Sequence, residues 1–350
     1  MQKVPKATLK KATLKDVAQL AEVSTVTVSN VLNQRQNVSN ETRQRVFDAV
    51  RQTNYRANLA ARSLARGRSN TLGVLVPDFT TQYVGEIVRG LSGEIRQAGM
   101  EVILSTAADD LKELTQLDLL QEICEGIILI LPHDANEKVK NINYSVPVVM
   151  IDHRGSTVNL PAIDVDNYRG ARLATEHLIA LGHQSIGFIT GKFEASLSRL
   201  RGYQEALLNA NLVFDEALIQ TGDFTQPSGF KAANKLLALG KPPTAIFAAN
   251  DLSAFGVMEA IKEKGLKIPH DISVIGFDDI PMASQVYPAL TTIRQPLLEM
   301  GVAAARMILA KLKGVEPPSK RITLSTELIR RASTGPWPKN VPDQREVRIS

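Results

Sequence analysis

The 350-residue chain has little of what several protein classes require. It contains one cysteine, Cys124, so it can form neither an internal disulfide nor a cysteine-rich zinc site. Apolar runs such as Ile127 to Leu131 are far shorter than the ~20 residues that cross a bilayer, so we expect no membrane span. The basic N-terminal segment is not followed by an apolar stretch, which is unlike a secretory signal and predicts a cytoplasmic protein.

The chain also lacks the short motifs on which common enzyme classes depend. No G-x-G-x-x-G follows the first predicted strand, and no G-x-x-x-x-G-K-[ST], G-x-S-x-G or H-E-x-x-H occurs. The histidines lack the spacing of a metal site, and we expect ordinary surface or helix-capping roles for His133, His153, His177, His183 and His270. The sequence therefore predicts no catalysis, no metal and no cofactor, with an α/β-type enzyme as an alternative.

Positive charge is concentrated at one end of a chain of globular composition. Residues 1–70 hold 13 Lys and Arg against 4 Asp and Glu, whereas the other 280 residues hold 28 against 32. Such a cationic segment is typical of a module that displaces counterions from nucleic acid phosphates, and a solvated basic tail is the alternative. Because 350 residues exceed the ~250–300 that one hydrophobic core supports, we expect at least two domains.

Capping residues and helical apolar spacing predict three short helices in the basic segment, beginning after Thr13, Ser24 and Ser39. The tight linkage of these helices indicates a helix-turn-helix unit, and a small helical bundle without DNA contacts is the alternative. A recognition helix enters the major groove with its N-terminal end, so we expect base contacts from Thr25, Val26 and Asn30. The predicted DNA-contacting residues of this unit are Thr13, Ser24, Thr25, Val26, Thr27, Ser29, Asn30, Asn33, Val38 and Ser39.

A second DNA-contacting element is predicted after this unit. The stretch from Asn58 to Arg68 favours a helix that ends at Gly67, but it is too short to be stable alone. Against DNA, Leu64 could wedge into a base step of the minor groove while the arginines neutralise phosphates. Asn58, Ala61 and Leu64 are the predicted contacts, and a plain linker is the alternative.

The body of the chain alternates short apolar runs with amphipathic stretches from residue 71 onward. This pattern is typical of parallel sheets covered by helices on both faces, and its length favours two doubly wound α/β lobes. The predicted divisions are a DNA-binding domain (1–58), a hinge helix and linker (59–70), a ligand-binding core (71–335) and a loose tail (336–350). Within the core we expect one lobe at about 71–164 and 296–324, and the other at about 165–295 and 325–335.

Polar residues follow several predicted strands, where ligands bind in open parallel sheets. Carboxylates and an amide can bond to vicinal hydroxyls, a guanidinium supplies a planar donor fork, and an aromatic face packs on a sugar ring. The candidates are Asp152, Arg199, Asn250 and Asp278, with Phe79 and Phe224 as aromatic walls. For Asp164, Asp251 and Asp279 we expect helix capping instead.

Several motifs together resemble one known family. They are TLKDVAQLAEVSTVTVSNVLN, VSNETRQRV and ARSLARGRSNTLGVLVPDF near the N-terminus, and RLRGYQEAL, VIGFDDI and LTTIRQP in the body. Over roughly residues 8–330 the chain resembles the lactose/galactose repressor family of bacterial transcription regulators. The resemblance implies a multidomain protein: an all-α helix-turn-helix headpiece with a hinge helix, followed by an α/β periplasmic-binding-protein-like core of two doubly wound parallel-sheet lobes.

The resemblance also implies a function and assigns residues to it. A homodimer would bind palindromic double-stranded operator DNA, and a small hydroxylated effector would control the affinity. Leu64 matches the leucine that enters the minor groove, and the ligand positions are Asp152, Arg199, Asn250 and Asp278, with Phe79, Phe224 and Gln295. Asn30 stands where arginine is frequent, and Ala57 replaces the usual proline, which implies altered base preference and a less constrained hinge.

We therefore expect a DNA-binding transcription regulator, in the simplest case a repressor of genes for a sugar or related metabolite. The alternatives are a solute-binding protein without a DNA role and a corepressor-dependent regulator with a purine or sugar-phosphate ligand. The C-terminal segment has no leucine heptad, which predicts a dimer rather than a tetramer. Candidates for the contact between subunits are Val84, Ile87, Val88 and Leu91, for which a buried role within one chain is the alternative.

Overall fold

The computed structural model describes residues 12–32, 37–55, 69–107, 110–130, 144–152, 160–191 and 194–337, without the side chains of residues 110–113 and 194. The chain divides into two compact units, Met1–Ser69 and Asn70–Ser350. No helix in the described part of the chain is both long and apolar enough to cross a membrane.

In its described residues the first unit contains three helices, α1 (Leu14–Leu20), α2 (Thr25–Leu32) and α3 (Asn40–Thr53). The predicted caps are confirmed: Thr13 forms a capping box with Asp16, and the hydroxyls of Ser24 and Ser39 accept hydrogen bonds from the first turns of α2 and α3. Apolar residues of all three helices form one small core, with Val17 and Ala18 from α1, Val28 and Val31 from α2, and Val46 and Ala49 from α3. The helix-turn-helix prediction is confirmed.

The second unit alternates strands and helices. Its strands are β1 (Thr71–Val76), β2 (Glu101–Thr106), β3 (Gly126–Ile130), β4 (Val148–Ile151), β5 (Ala162–Val165), β6 (Ile186–Thr190), β7 (Ile219–Thr221), β8 (Ala245–Ala248), β9 (Ser273–Asp278), β10 (Thr291–Arg294), β11 (Arg321–Leu324) and β12 (Glu327–Ile329). Its helices are α4 (Gln82–Gln97), α5 (Asp110–Ile123), α6 (Asn167–Ala180), α7 (Glu194–Asn209), α8 (Gln226–Leu237), α9 (Asp251–Glu263) and α10 (Leu297–Leu312).

Within the described residues these strands form two six-stranded sheets, in the orders β11-β5-β4-β3-β1-β2 and β12-β10-β9-β8-β6-β7. The pairings are parallel except that of β10 with β12. Strands such as β3, β4 and β8 are buried along their whole length, as expected for sheets covered on both faces. The chain passes from one sheet to the other after β5, after β10 and after β11, so two doubly wound lobes result, as the predicted fold class requires.

Helices α4 and α10 pack together closely because glycines remove two side chains from their contact. A Cβ atom on Gly90 would lie 2.1 Å from the carbonyl oxygen of Leu298, and one on Gly301 would lie 2.1 Å from that of Ile87. Val84, Ile87 and Leu91 are buried in the same core, with Val88 packed at its edge. Val84, Ile87 and Leu91 therefore have the buried role within one chain, and their prediction as the contact between subunits is wrong. For the half-buried Val88 the subunit contact stays a prediction.

This packing gives a prediction with an internal control. Gly90→Ala should lower the free energy of unfolding by about 1–3 kcal/mol, because the added methyl group forces the two helices apart. Gly93 lies on the same helix with nothing within 4 Å of an added Cβ. Gly93→Ala should therefore stabilise by about 0.5–1 kcal/mol, through the lower entropy of the unfolded chain. Urea unfolding of both variants checks the contrast, and equal effects would contradict the packing account.

Some expectations for single residues need correction. His183 is buried, and its ring nitrogens lie 2.9 Å from Thr244 Oγ1 and 3.0 Å from Ser273 Oγ, so a surface role is wrong for it. The half-buried His177 contacts Thr334, whereas His270 is exposed, and His133 and His153 lie outside the described residues.

The C-terminal segment differs from its prediction, whereas the single cysteine agrees with it. The loose segment cannot begin at residue 336, because the Trp337 amide donates to the Leu181 carbonyl (2.7 Å) and its ring stacks on His183; residues 338–350 lie outside the described part. Cys124 is buried, and burial raises the pKa of its thiol to about 11, so it packs as a small hydrophobe.

Candidate functional site

The N-terminal half of α2 has the properties of a recognition surface. Val28 and Val31 turn into the core, whereas the Val26 side chain is 67% exposed although it is apolar. The Ser24 hydroxyl accepts the Thr27 amide hydrogen bond (3.0 Å) and fixes the start of the helix. Thr25, Thr27, Ser29 and Asn30 are partly exposed on the same helix. The structure thus leaves short polar and apolar side chains available at the end of the helix that would enter a groove.

Of the other predicted DNA contacts, some lie in the described residues and the rest lie outside them. Ser39 caps α3 at the surface, and the side chain of Val38 packs against the core of the unit. Thr13 closes its capping box with Asp16. Asn33, Asn58, Ala61 and Leu64 lie outside the described residues, so their roles stay predictions.

In the second unit a cavity of about 420 Å³ lies between the two lobes. It is lined by six of the seven predicted ligand residues, namely Asp152, Arg199, Phe224, Asn250, Asp278 and Gln295. Phe79 is not among the lining residues, and its side chain is 56% exposed. The loop that contains Phe79 does reach the cavity, through Asp78 and Thr80. We call this cavity the effector cleft.

Arg199 is the buried cation of the effector cleft. It lies in the second turn of α7 and is 3% exposed. Its guanidinium donates to Asn167 Oδ1 (2.8 Å) and to the Ala249 carbonyl, and it lies over the Phe277 ring at 3.8 Å from the ring centre. Asp278 Oδ1 is 3.9 Å away. These contacts fix the orientation of the guanidinium fork.

Asp278 ends β9 and is buried beside Arg199. Gln295 donates from Nε2 to Asp278 Oδ1 at 2.6 Å. Burial raises the pKa of Asp278 to about 7, while Arg199 and Gln295 pull the pKa in the opposite direction. A carboxyl with such a pKa can accept or donate a hydrogen bond near neutral pH.

Asp251 lies behind Asp278 and organises the loop that follows it. Its two carboxylate oxygens accept hydrogen bonds from Thr292 Oγ1 (2.5 Å) and from the Ile280 amide (2.9 Å). Burial and the nearby Asp278 raise the pKa of Asp251 well above its usual range. Asp251 therefore braces Ile280, which lines the effector cleft, and has no direct place in the lining.

The predicted capping roles of three aspartates are wrong. Asn250 caps α9 by accepting from the Ser253 amide, and Asp166 caps α6, so Asp251 and Asp164 are not the caps. Asp164 instead accepts from Arg321 Nε (2.6 Å), and Asp279 accepts from Arg294 and Arg331. Asn250 also donates to the Phe224 carbonyl (3.0 Å), which fixes the Phe224 loop beside the cavity.

Tyr83 is the main lining residue that sequence reasoning missed. It begins α4 in the first lobe, is 8% exposed, and donates from its hydroxyl to Asp152 Oδ2 at 3.0 Å. Burial, followed by the charge of Asp152, raises the pKa of the Tyr83 hydroxyl well above its usual range. The available signal was its position at the start of a helix that follows the first strand, where ligands of parallel sheets bind.

Backbone strain is concentrated at the effector cleft. Three of its lining residues, Asp152 (φ 53°), Phe224 (φ 69°) and Asp278 (φ 125°), adopt positive φ angles that residues other than glycine rarely take, and Asp279 (φ 57°) follows directly after the third. Each costs on the order of 1–3 kcal/mol and persists only where the surroundings fix it, which is typical of binding sites.

The raised pKa of Asp278 gives a testable pH dependence. Its usual pKa is near 3.8, so between about pH 4 and pH 7 the folded protein binds more protons than the unfolded chain. The stabilisation linked to this proton is therefore present below about pH 4 and lost as the pH rises through about 7. His177 acts in the opposite sense, because burial lowers its pKa to about 4.

A comparison of the protein with the Asp278→Asn variant separates the pH dependence due to Asp278 from that due to His177, because the variant lacks only the Asp278 carboxyl. The difference in unfolding free energy between them, measured in urea from about pH 5 to pH 8, should change by more than about 1 kcal/mol, in favour of the variant as the pH rises. A difference independent of pH would place the pKa of Asp278 in its ordinary range.

A basic helix-turn-helix unit on a two-lobed core with a polar cleft defines the class of ligand-controlled DNA-binding regulators. The family model for bacterial regulatory proteins of the lacI family matches residues 13–58, and the model for the periplasmic binding protein-like domain matches residues 175–334. The HTH-type transcriptional repressor CytR of Escherichia coli K12 is 38% identical over 335 residues, which cover 93% of this chain and 97% of CytR.

Two solved structures extend the comparison. The lac repressor dimer bound to operator and the anti-inducer ONPF has a TM-score of 0.80 at 32% identity, covering 93% of this chain and all of that one (100%). The complex of the transcriptional regulator CelR with cellobiose has a TM-score of 0.71 at 32% identity, covering 92% of this chain and 100% of that one. The chain therefore belongs to the lacI family of bacterial regulatory proteins and is a DNA-binding transcription regulator, as the resemblance in the sequence implied.

Proposed function

We propose that this protein is a dimeric repressor whose affinity for a palindromic operator is set by a neutral, hydroxylated effector bound in the effector cleft. It acts in the cytoplasm, where the operator DNA lies, and it regulates transcription by binding rather than by catalysis. The observation that carries the proposal is the rigid arrangement of Arg199, Asp278 and Asp152, contributed by two lobes around one cavity. A ligand that bridges the lobes binds their closed arrangement more tightly and can shift the equilibrium between arrangements.

The charge of the lining favours an uncharged ligand. Among the described lining residues, Arg199 is the only cation, whereas Asp78, Asp152, Asp223 and Asp278 are acidic. A phosphate or carboxylate would therefore meet more negative than positive charge. Hydroxyl groups suit the site, because carboxylates accept from them and the Arg199 fork donates to them. The Phe224 ring supplies an apolar wall for a sugar ring.

A second copy of the chain fits an apolar surface on the first lobe. Strand β2, which lies at the edge of its sheet among the described strands, exposes Ile103 and Leu104, and α5 exposes Leu119 and Ile123, all between 37% and 50%. An unpaired edge strand with exposed apolar side chains is usually covered in the functional state. The lac repressor in the structure with operator is a dimer, and the same state is proposed for this chain.

A thermal-shift screen tests the effector class directly. Neutral sugars and nucleosides, sugar acids, sugar phosphates and purine bases are each added to the full-length protein. A neutral hydroxylated ligand at 100 times its dissociation constant should stabilise the fold by about 2.7 kcal/mol. Stabilisation by sugar phosphates or purine bases alone would contradict the proposed class and favour the corepressor alternative.

Leu64→Ala should separate specific from non-specific DNA binding. The proposed insertion of Leu64 into the minor groove requires a kinked site, so its loss should weaken operator binding about 10- to 100-fold and leave binding to random DNA nearly unchanged. Ala65→Gly is a control for the loss of helix propensity in the same segment. Fluorescence anisotropy with both duplexes measures the effect, and a parallel loss on both would make the segment a plain basic linker.

A further inference from the structure

A hydrogen bond joins the two lobes beside the effector cleft. The Met282 amide of the second lobe donates to Oε1 of Gln82 in the first lobe at 2.9 Å. Gln82 is half-buried and begins α4, where it lies between Thr81 and Tyr83, which both line the effector cleft. Met282 follows Ile280, another lining residue, by two positions. The bond is therefore adjacent to the cavity, although neither Gln82 nor Met282 lines it.

Local chemistry explains why the Met282 amide takes this partner. Met282 lies in a short 3-10 helix (Pro281–Ser284) that has no capping side chain from its own N-cap residue. The first amides of a helix have no partner within the helix, and Pro281 at the first position has no N–H at all. An amide N–H can only donate, so Gln82 must present its oxygen to it. One lobe thus supplies the cap for a helix of the other.

The segment that contains Met282 is fixed to the second lobe on both sides. Before it, the Asp279 carboxylate accepts from two arginine side chains, and the Ile280 amide donates to Asp251 Oδ2 at 2.9 Å. Within it, the carbonyl of the buried Ala283 accepts from the amide of Leu290 at 2.8 Å. The 3-10 helix therefore moves with the second lobe as one body.

Gln82 is fixed to the first lobe in a similar way. Helix α4 begins at Gln82 after the cap Thr81, and it packs on α10 through the close contacts at Gly90 and Gly301. Because neither end of the bond can follow the other, a separation of the lobes must break it. We infer that Gln82 is a latch, whose bond to the Met282 amide stabilises the lobe arrangement of this structure over a more open one.

The latch acts on an equilibrium between two arrangements and not through contact with the ligand. One hydrogen bond of this kind shifts such an equilibrium by about 2- to 10-fold. A ligand that bridges the lobes binds the latched arrangement, so its apparent affinity falls in proportion to the latched fraction. This consequence for the ligand rests on the proposed function, whereas the latch itself can be tested without any ligand.

Spin-label distances between the lobes of the full-length, ligand-free protein test the latch. The single native cysteine, Cys124, is buried, so labels attach to cysteines introduced by Arg96→Cys in the first lobe and Lys262→Cys in the second, both at exposed positions. Excess unlabelled protein leaves at most one labelled subunit in a dimer. Gln82→Met has a similar size but no acceptor, and it should increase the population outside the main distance peak at least about twofold. Gln82→Glu keeps an acceptor oxygen and should retain the original distribution.

The contrast between the two variants separates a latch from a packing role. Gln97→Met, at an exposed position on the last turn of the same helix, is the control and should change nothing. An unchanged distribution in Gln82→Met would overturn the inference. An equal change in Gln82→Glu or in Gln97→Met would also overturn it, because the acceptor oxygen of Gln82 would then not be the cause.

The effect on ligand binding is measured with the compound found in the thermal-shift screen. By calorimetry, Gln82→Met should bind it about 2- to 10-fold more weakly, and Gln82→Glu should bind it as the unaltered protein does. Equal binding by Gln82→Met would contradict the coupling of the latch to the effector cleft. The screen and the label distances fail independently, so loss of the proposed effector class and loss of the latch are distinguishable.

Discussion

Arg199→Gln should abolish the response to effector while leaving operator binding intact. Arg199 is the only cation in the described lining of the effector cleft, and its donor fork is fixed by Asn167 and Ala249. The neutral amide cannot supply the bidentate fork to vicinal hydroxyls. The change in operator affinity caused by saturating effector should therefore disappear, which is measured by anisotropy of a labelled operator with and without the ligand found in the screen.

The control variants separate binding from folding. Arg199→Gln leaves Asp278 without its buried partner, which should cost up to about 3 kcal/mol of unfolding free energy. Adding Asp278→Asn should restore part of that stability without restoring the response, because the paired charge is removed but the fork is still missing. Arg201→Gln, an exposed position on the same helix, should change neither property. An unchanged effector response in Arg199→Gln would remove Arg199 from the site.

Val26→Asp should abolish specific binding to the operator. Val26 is two-thirds exposed on α2, so the substitution should leave the small core of Val17, Val28 and Val46 intact. A carboxylate placed against base edges and phosphates costs several kcal/mol, which corresponds to a loss of more than about 100-fold in affinity.

The matched control for this variant is Leu20→Asp. Leu20 is an apolar residue of α1 with 48% exposure. The substitution Leu20→Asp introduces the same negative charge into the same unit as Val26→Asp. A general electrostatic effect would weaken DNA binding equally in both variants. The recognition-surface account predicts a much larger loss for Val26→Asp, with far-ultraviolet circular dichroism unchanged in both. Similar affinities for the two variants would remove α2 from the DNA interface.

The parts of the fold that depend on local chemistry could be predicted from the sequence. Thr13, Ser24 and Ser39 cap the three helices because each hydroxyl needs only the amides of the next turn. The buried strands could be recognised because both faces are covered, which makes the runs continuously apolar. Asp152 and Asp278 could be placed at the effector cleft because the carboxyl ends of parallel strands meet at one edge of a sheet.

The errors arose where a role depends on distant parts of the chain. Asp251 begins a helix and resembles a cap, but its carboxylate accepts hydrogen bonds from Thr292 of β10 and from Ile280 of the loop after β9. Tyr83 resembles an ordinary core aromatic until Asp152 is seen beside it. The sequence predicts Phe79 as an aromatic wall, but the course of its loop leaves the side chain exposed. Sequence patterns do not contain these long-range contacts.

Selection of DNA by the full-length protein tests the central claim most directly. Duplexes are enriched from a random library and then titrated by anisotropy over a range of salt concentrations. The account predicts a two-fold symmetric consensus that binds at least about 1000-fold more tightly than random DNA, with affinity falling steeply as salt rises and changing when effector is added. Enrichment of no symmetric sequence, and equal affinity for every duplex at low salt, would contradict it.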